Sequence, residues 1–278
     1  MRKPFIAAIS FILLFSFVLY LSGYYRLLTF KSRTKDIEWK GYITSPLSEY
    51  KYPTQGLTIA GNNILLVVII DKRISRVYEL NKGTCRVHAY FDMPAEASHT
   101  GGLAWDGSNI WAVDNVSNKA YYIDYDSSFN LNKAQILFSF DTSLNNTSAC
   151  EYIDYNNMSI LAISDFTDKR ETIFVDINKV KEFGMTENCI INSYHNEGFS
   201  QGLAVIDNVL FESENKIYKG IINAYRLDAL INEGNSKEAF LYQILSPGRG
   251  PQDLCTDDNS LWITDSIDHK LYNAIIKN

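Results

Sequence analysis

The stretch Thr100-Gly-Gly-Leu-Ala-Trp-Asp-Gly-Ser-Asn-Ile-Trp-Ala-Val113 reads as a hairpin. Leu103-Ala-Trp105 extends, Asp106-Gly-Ser108 turns, and Ile110-Trp-Ala-Val113 returns. Asp-Gly between apolar runs supplies the left-handed backbone that a tight hairpin needs. Lys119 to Asp124 and Ala134 to Phe140 then complete a four-strand meander. Similar phrases begin at Thr54-Gln-Gly-Leu57, Ala149-Cys-Glu-Tyr152, Phe199-Ser-Gln-Gly-Leu203 and Pro251-Gln-Asp-Leu254. With Gly56, Gly102, Glu151, Gly202 and Asp253 taken as equivalent, the copies are spaced by 46, 49, 51 and 51 residues. A repeat of that length, built from four short strands, is the signature of a β-propeller blade.

The fifth copy holds only three strands: Leu254-Cys-Thr256, Leu261-Trp-Ile-Thr264 and Lys270 to Ile276. Ile37-Glu-Trp-Lys-Gly-Tyr-Ile43 precedes the first copy and has no hairpin partner nearby. It is expected to take the vacant outer place of the last blade, which would close the ring and cover an edge. The fold expected over residues 37–278 is therefore all-β, a five-bladed β-propeller closed by an N-terminal strand. No helical period stands out after residue 36, apart from one possible turn at Asp228 to Glu233.

Composition narrows the function. The 278 residues include 18 Tyr and 15 Phe, which suits half-buried strands. The chain is long enough to build its core without a disulfide or metal. A net charge of −6, with no basic stripe after residue 40, argues against a nucleic-acid surface. Cys85, Cys150, Cys189 and Cys255 allow zero, one or two disulfides but are too far apart for a local zinc clasp. His88, His99, His195 and His269 show no metal spacing, and no nucleophile elbow or phosphate loop is present. Neither a cofactor nor a metal is implied, and a monomer is expected.

Arg2-Lys3 precedes an almost uninterrupted apolar run from Pro4 to Leu21. At ~1.5 Å per residue that run nearly covers a ~30 Å hydrocarbon layer. Leu21-Ser-Gly23 is a poor cleavage site, so an uncleaved signal anchor over residues 1–25 is favoured over a cleaved signal. Residues 26–36 then form a juxtamembrane linker, and the propeller is expected on the extracytoplasmic side of a single-pass membrane protein.

Propeller geometry turns spacing into proximity. The first strand of a blade runs away from one mouth of the central channel, and the second returns to it. Gln201 and Glu212 are therefore expected at one mouth, with Gln55 and Asp71, His99 and Asp114, Glu151 and Asp165, and Gln252, Asp253 and Asp265. Trp111, Phe166 and Trp262 are expected beside them. A concave mouth with convergent polar groups suits a peptide or small-molecule ligand. Asp114, Asp165 and Asp265 also fit an ordinary role as turn caps, and the tryptophans fit blade packing. Glu212 is different, because its siblings are Leu66, Ala112 and Ile263. A carboxylate at an otherwise apolar strand position needs a reason, since burying an unpaired charge is costly.

Phe199-Ser-Gln-Gly-Leu203, Leu210-Phe-Glu-Ser213 and Ile222-Asn-Ala-Tyr-Arg-Leu-Asp228 together resemble the plant and bacterial glutamine cyclotransferases. That family has a Phe-Thr-Gln-Gly-Leu phrase, a Leu-Tyr-Glu-Ser-Thr phrase and a strand like Ser-Leu-Arg-Arg-Val-Asp-Leu. The resemblance implies a five-bladed propeller that converts the N-terminal Gln of peptides to pyroglutamate with loss of ammonia. It implies a proton-handling role for Glu212, with Phe199 and Gln201 near the substrate. One carboxylate could take the proton shed by the attacking α-amine and return it to the departing nitrogen. Gln201 or Gln55 could donate to the developing oxyanion. Candidate substrate-binding residues are thus Phe199, Gln201, Gln55, Trp111 and Trp262. In the family the phrase opens the first blade, whereas here it lies in the fourth copy, and the first copy has Leu66-Val67 in place of Glu. Two other functions fit the same repeats: a non-catalytic binding propeller at a membrane, and a calcium-dependent lactonase-like hydrolase using the mouth carboxylates.

Overall fold

The computed structural model describes residues 12–16, 35, 37–43, 53–70, 74–167, 170–215, 220–248 and 250–276. Among these, strands form five antiparallel sheets of four. Blade 1 is β2 (Thr54–Ala60), β3 (Asn63–Ile69), β4 (Ser75–Asn81) and β5 (Val87–Asp92). Blade 2 is β6 (Thr100–Trp105), β7 (Ile110–Asp114), β8 (Lys119–Asp124) and β9 (Gln135–Asp141). Blade 3 is β10 (Thr147–Tyr155), β11 (Met158–Asp165), β12 (Glu171–Asp176) and β13 (Ile190–His195). Blade 4 is β14 (Ser200–Ile206), β15 (Val209–Glu214), β16 (Ile221–Arg226) and β17 (Phe240–Leu245). Blade 5 is β18 (Pro251–Asp257), β19 (Ser260–Asp265) and β20 (Lys270–Ile275). Its outer place is taken by β1 (Lys40–Ile43), which pairs with β20 from Lys40 opposite Asn273 to Ile43 opposite Lys270. Each inner strand contacts the next, and β18 contacts β2, so the ring is closed.

The core lies between blades. Val67, Val77 and Phe91 of blade 1 meet Leu103, Ala112 and Tyr121 of blade 2. Ile160, Phe174 and Tyr194 of blade 3 meet Leu203, Leu210 and Tyr225 of blade 4. Each blade is a twisted sheet that is apolar on both faces, so it must be covered on both sides, and a ring of equal blades achieves this. Burying one such Leu or Ile side chain contributes about 2 kcal/mol.

The repeated phrase has a structural cause. Every inner strand carries a register shift near its start, at residues 54–57, 100–102, 147–149, 200–202 and 251–254. There the inner strands approach backbone to backbone. A Cβ on Gly102 would lie 2.7 Å from Cα of Ala149, and one on Gly202 would lie 2.7 Å from Cα of Asp253. Strand register also corrects one equivalence. Leu57, Leu103, Cys150, Leu203 and Leu254 pair with Leu66, Ala112, Ile163, Glu212 and Ile263. Ala149, not Glu151, is therefore the counterpart of Gly102 and Gly202, and Glu151 lies two residues farther along its strand.

Helices are a second correction. Turns of helix lead into the outer strands: α1 (Tyr125–Leu131), α2 (Ile177–Phe183), α3 (Leu227–Glu233) and α4 (Ser236–Ala239). Asp124 caps α1 by accepting the Ser127 amide at 2.7 Å, and Asp176 caps α2 through the amides of Asn178 and Lys179. Seven residues make two turns, too short for a helical period to emerge from sequence.

All four cysteines are buried free thiols. Among the described residues no helix is long and apolar enough to cross a membrane. Residues 12–16 are helical and exposed; the rest of the apolar run at 4–21 lies outside the described residues, as does Asp71.

Candidate functional site

Glu212 sits in the middle of β15, between Leu203 of β14 and Asn223 of β16. Its side chain faces blade 3 and is fully buried. The Ser164 and Thr172 hydroxyls donate to Oε1 at 3.4 and 3.3 Å, and the Tyr194 hydroxyl donates to Oε2 at 3.3 Å. Burial, and then the neighbouring Glu214, push the Glu212 carboxyl up to about 8, so it carries a proton at neutral pH. Glu214 lies two residues along the same face, also buried, and accepts from the Asn223 amide. Gln243 in turn donates to Asn223 at 2.6 Å. The phenols of Tyr194 and Tyr225 are held well above their ordinary range by burial and by Glu212. The result is a buried polar cluster inside an otherwise apolar blade interface.

The channel mouth lies beside this cluster: Ser148 lines the mouth and donates to the carbonyl of Ser164, whose hydroxyl contacts Glu212. Gln55, His99, Asn115, Phe166, Gln201 and Gln252 line a cavity of about 300 Å³. Gln55, Gln201 and Gln252 are its buried carboxamides, each at the register shift of its inner strand. Gln252 donates to Ser266 at 3.1 Å, and its buried Oε1 has no partner among the described residues. His99 is held below its ordinary pKa by burial, so its ring is neutral at pH 7. No carboxylate lines this cavity among the described residues.

Phe199 stands at the rim, 38% exposed, with its ring edge-on to Phe166 at 5.3 Å. Its φ is 58°, a left-handed conformation that is strained for an aromatic residue. The segment before it is tied to the polar cluster: Asn196 accepts from the Gly198 amide at 2.8 Å and donates to Thr172 at 3.0 Å. Phe199, Asn196, Thr172 and Glu212 thus form one connected path from rim to carboxyl.

Of the residues read from sequence, Gln55, Gln201, His99, Gln252 and Phe166 meet at the mouth, and Phe199 borders it through Phe166. Glu212 does not line the mouth and lies behind it, buried between blades 3 and 4. Trp111 and Trp262 do not line the cavity. Trp111 is buried against Tyr122 and Phe140, and Trp262 stacks on Tyr42 at 5.7 Å. Trp111 pairs with Ala104 and Trp262 with Cys255, in the half of each inner strand away from its mouth end. Asp114, Asp165 and Asp265, expected at the mouth, do not line its cavity and are engaged in local hydrogen bonds, Asp114 holding the His99 amide at 2.7 Å. Asp114 accepts the amides of Val116 and Ser117, and Asp265 those of Ile267 and Asp268, as turn caps. Asp165 accepts from Thr167 and from the Glu171 amide. Among the described residues no group of three or more His, Cys, Asp or Glu is placed to hold a metal ion.

Asp253 occupies the ring position held elsewhere by Gly56, Gly102, Ala149 and Gly202. Its Oδ2 accepts the amides of Leu57 and Leu103 at 2.8 and 3.0 Å, and its Oδ1 accepts that of Leu254 at 2.9 Å. It spans the channel between the mouth and a second cavity at the opposite face. Glu151 lines that far cavity, where Oε1 accepts the Val205 amide at 3.2 Å. Sequence reasoning placed both acids at the wrong level, because it could not see the extra residues at the register shifts.

No family model matches the chain, and no curated protein matches it. Among solved structures, the crystal structure of Myxococcus xanthus glutaminyl cyclase superposes with a TM-score of 0.63. It is 10% identical and covers 89% of this chain and 100% of its own. A nidogen/laminin complex matches with a TM-score of 0.49 and 14% identity, over 76% of this chain and 72% of that one. This chain therefore has the five-bladed propeller fold, similar in structure to a bacterial glutaminyl cyclase.

Proposed function

We propose that this propeller is a glutaminyl-peptide cyclotransferase, with the N-terminal Gln of a peptide bound at the Gln-lined mouth and Glu212 as the proton-transfer group. The observation that carries this reading is the buried carboxyl of Glu212, held by the hydroxyls of Ser164, Thr172 and Tyr194 behind the mouth. The substrate α-amine attacks its own side-chain carboxamide carbon. Glu212 gives its proton to the departing nitrogen, which leaves as ammonia, and the resulting carboxylate takes the proton shed by the attacking amine. A carboxyl that titrates near pH 8 is matched to both steps. The mouth carboxamides Gln55 and Gln201 supply donors for the oxyanion. The Phe199 rim must move to admit the substrate to Glu212.

A second reading, a non-catalytic propeller that binds a ligand at the same mouth, is favoured by the complete burial of Glu212. The two separate in one experiment on the full chain. Gln-initiated peptides are assayed for ammonia release and loss of free amine, with and without chelator, beside Glu212→Gln. Turnover that ignores chelator and drops by about 10³-fold in the variant fits a lost general acid–base group. Peptide binding without turnover supports the second reading. We also propose that residues 1–25 anchor the chain in a membrane with the propeller extracytoplasmic, from the apolar run at 4–21. Release of the full chain from membranes by alkaline carbonate would overturn that anchor.

A further inference from the structure

The channel beyond Asp253 ends in a cavity of about 330 Å³, on the face opposite the Gln-lined mouth. We infer that this cavity is a second binding site, for a small organic cation of the alkylammonium type, held by Glu151 and the ring of Trp105.

The strand register puts Glu151 in one layer with Thr58, Ala104, Ala204 and Cys255. Four of five blades give this layer a small uncharged side chain; Thr58 and Cys255 line the cavity, and only the third blade adds a carboxyl there. One oxygen of Glu151 takes the Val205 amide, and no other partner for the group occurs among the described residues. Asp154 and Asp207 stand on the cavity wall, and no Lys, Arg or His among the described residues lines it. Trp105 lines the same cavity, and indole rings attract alkylammonium groups. A carboxyl in such surroundings lacks a positive partner, and the ligand supplies it.

The groups facing Glu151 leave no competing cation. From β18 they are Asp253 and Cys255; from β10, Cys150, Tyr152, Asp154 and Tyr155; from the β14–β15 turn, Asp207. Burial holds Glu151 at about 8. A permanently charged ammonium ion must therefore displace the Glu151 proton to solvent, and its affinity rises with pH until that proton is gone.

The test is calorimetric titration of the full chain with tetramethylammonium and methylammonium chlorides, with sodium acetate as the anion control. One saturable cation site is expected, about tenfold or more tighter at pH 8.5 than at pH 6. Glu151→Gln should weaken tetramethylammonium by about tenfold or more at pH 8.5 and flatten the pH dependence. Trp105→Leu should weaken it severalfold while the pH dependence persists. Absence of a saturable site for either cation overturns the inference, as does equal binding of acetate. So does cation binding that Glu151→Gln leaves unchanged. If Glu151→Gln does not fold, the pH dependence and Trp105→Leu decide. Ammonia release from Gln peptides is a separate readout, so failure here leaves the cyclotransferase reading standing.

Discussion

The Oδ2 atom of Asp253 accepts the backbone amide of Leu103 at 3.0 Å across the central channel, joining blade 5 to blade 2. The same atom holds Leu57 of blade 1 at 2.8 Å. One side chain therefore ties three inner strands, in a layer where its siblings are three glycines and an alanine. Asp253→Ala removes the acceptor for three buried amides, those of Leu57, Leu103 and Leu254, and opens the channel. Each orphaned amide costs about 1–3 kcal/mol, so a loss of about 3 kcal/mol or more is expected in denaturant unfolding. Asp253→Asn keeps one acceptor oxygen and should lose less than half as much.

The glycine at residue 202 is required by the same close approach. A Cβ there meets the backbone of Asp253 and Leu254, which cannot yield as a flexible side chain can. Gly202→Ala should destabilise by about 1–3 kcal/mol through overpacking. Gly61→Ala places its Cβ in open space but at φ 59°, so it should cost about 1 kcal/mol from backbone strain alone. Thermal melts of the two variants separate contact from conformation.

Blade number and ring closure were legible because they depend on periodicity and on one missing strand. The strand from Lys40 to Ile43 had to go somewhere, and only blade 5 lacked an edge. The anomalous acid at 212 was legible too, since its apolar siblings mark it. What sequence hid was depth. Register shifts put extra residues into each inner strand, so counting from a Gly-Leu phrase misplaced Glu151 by two positions and left Asp253 at the mouth. The tryptophans misled for a related reason, because an aromatic near the second strand's midpoint packs between blades. The far cavity had no sequence signal beyond the small residues Thr58, Ala104, Ala204 and Cys255, which become a layer only once the register is known.

Phe199 tests the link between strain and use. Its left-handed backbone is maintained by the Gly198–Asn196 contact and by the amide of Asn215, which donates to the Phe199 carbonyl at 3.1 Å. Phe199→Gly relieves about 1 kcal/mol of backbone strain while giving up a ring that is only partly buried. Unfolding free energy should therefore stay within about 1 kcal/mol of the parent. If the rim positions the peptide, turnover of Gln-initiated peptides should fall at least tenfold in the same variant. Equal activity with the ring removed would leave Phe199 without a role at the mouth.

Glu212 makes a prediction about stability that is independent of catalysis. Its folded pKa of about 8 stands above the ordinary glutamate range, so the folded protein holds a proton that the unfolded chain has lost. Between about pH 5 and pH 8 the native state binds more protons, and stability must fall as pH rises, by about 1.4 kcal/mol per unit for one such group. Glu151 and Asp253 are raised by burial and add slope of the same sign. Glu212→Gln removes one titrating group while keeping an acceptor for Ser164 and Thr172. The variant should show a shallower decline in melting temperature across this window and should exceed the parent at pH 8.5. A parallel decline in the two proteins would mean that Glu212 is already ionised at neutral pH, and the proton it is proposed to give to the departing nitrogen would not be there.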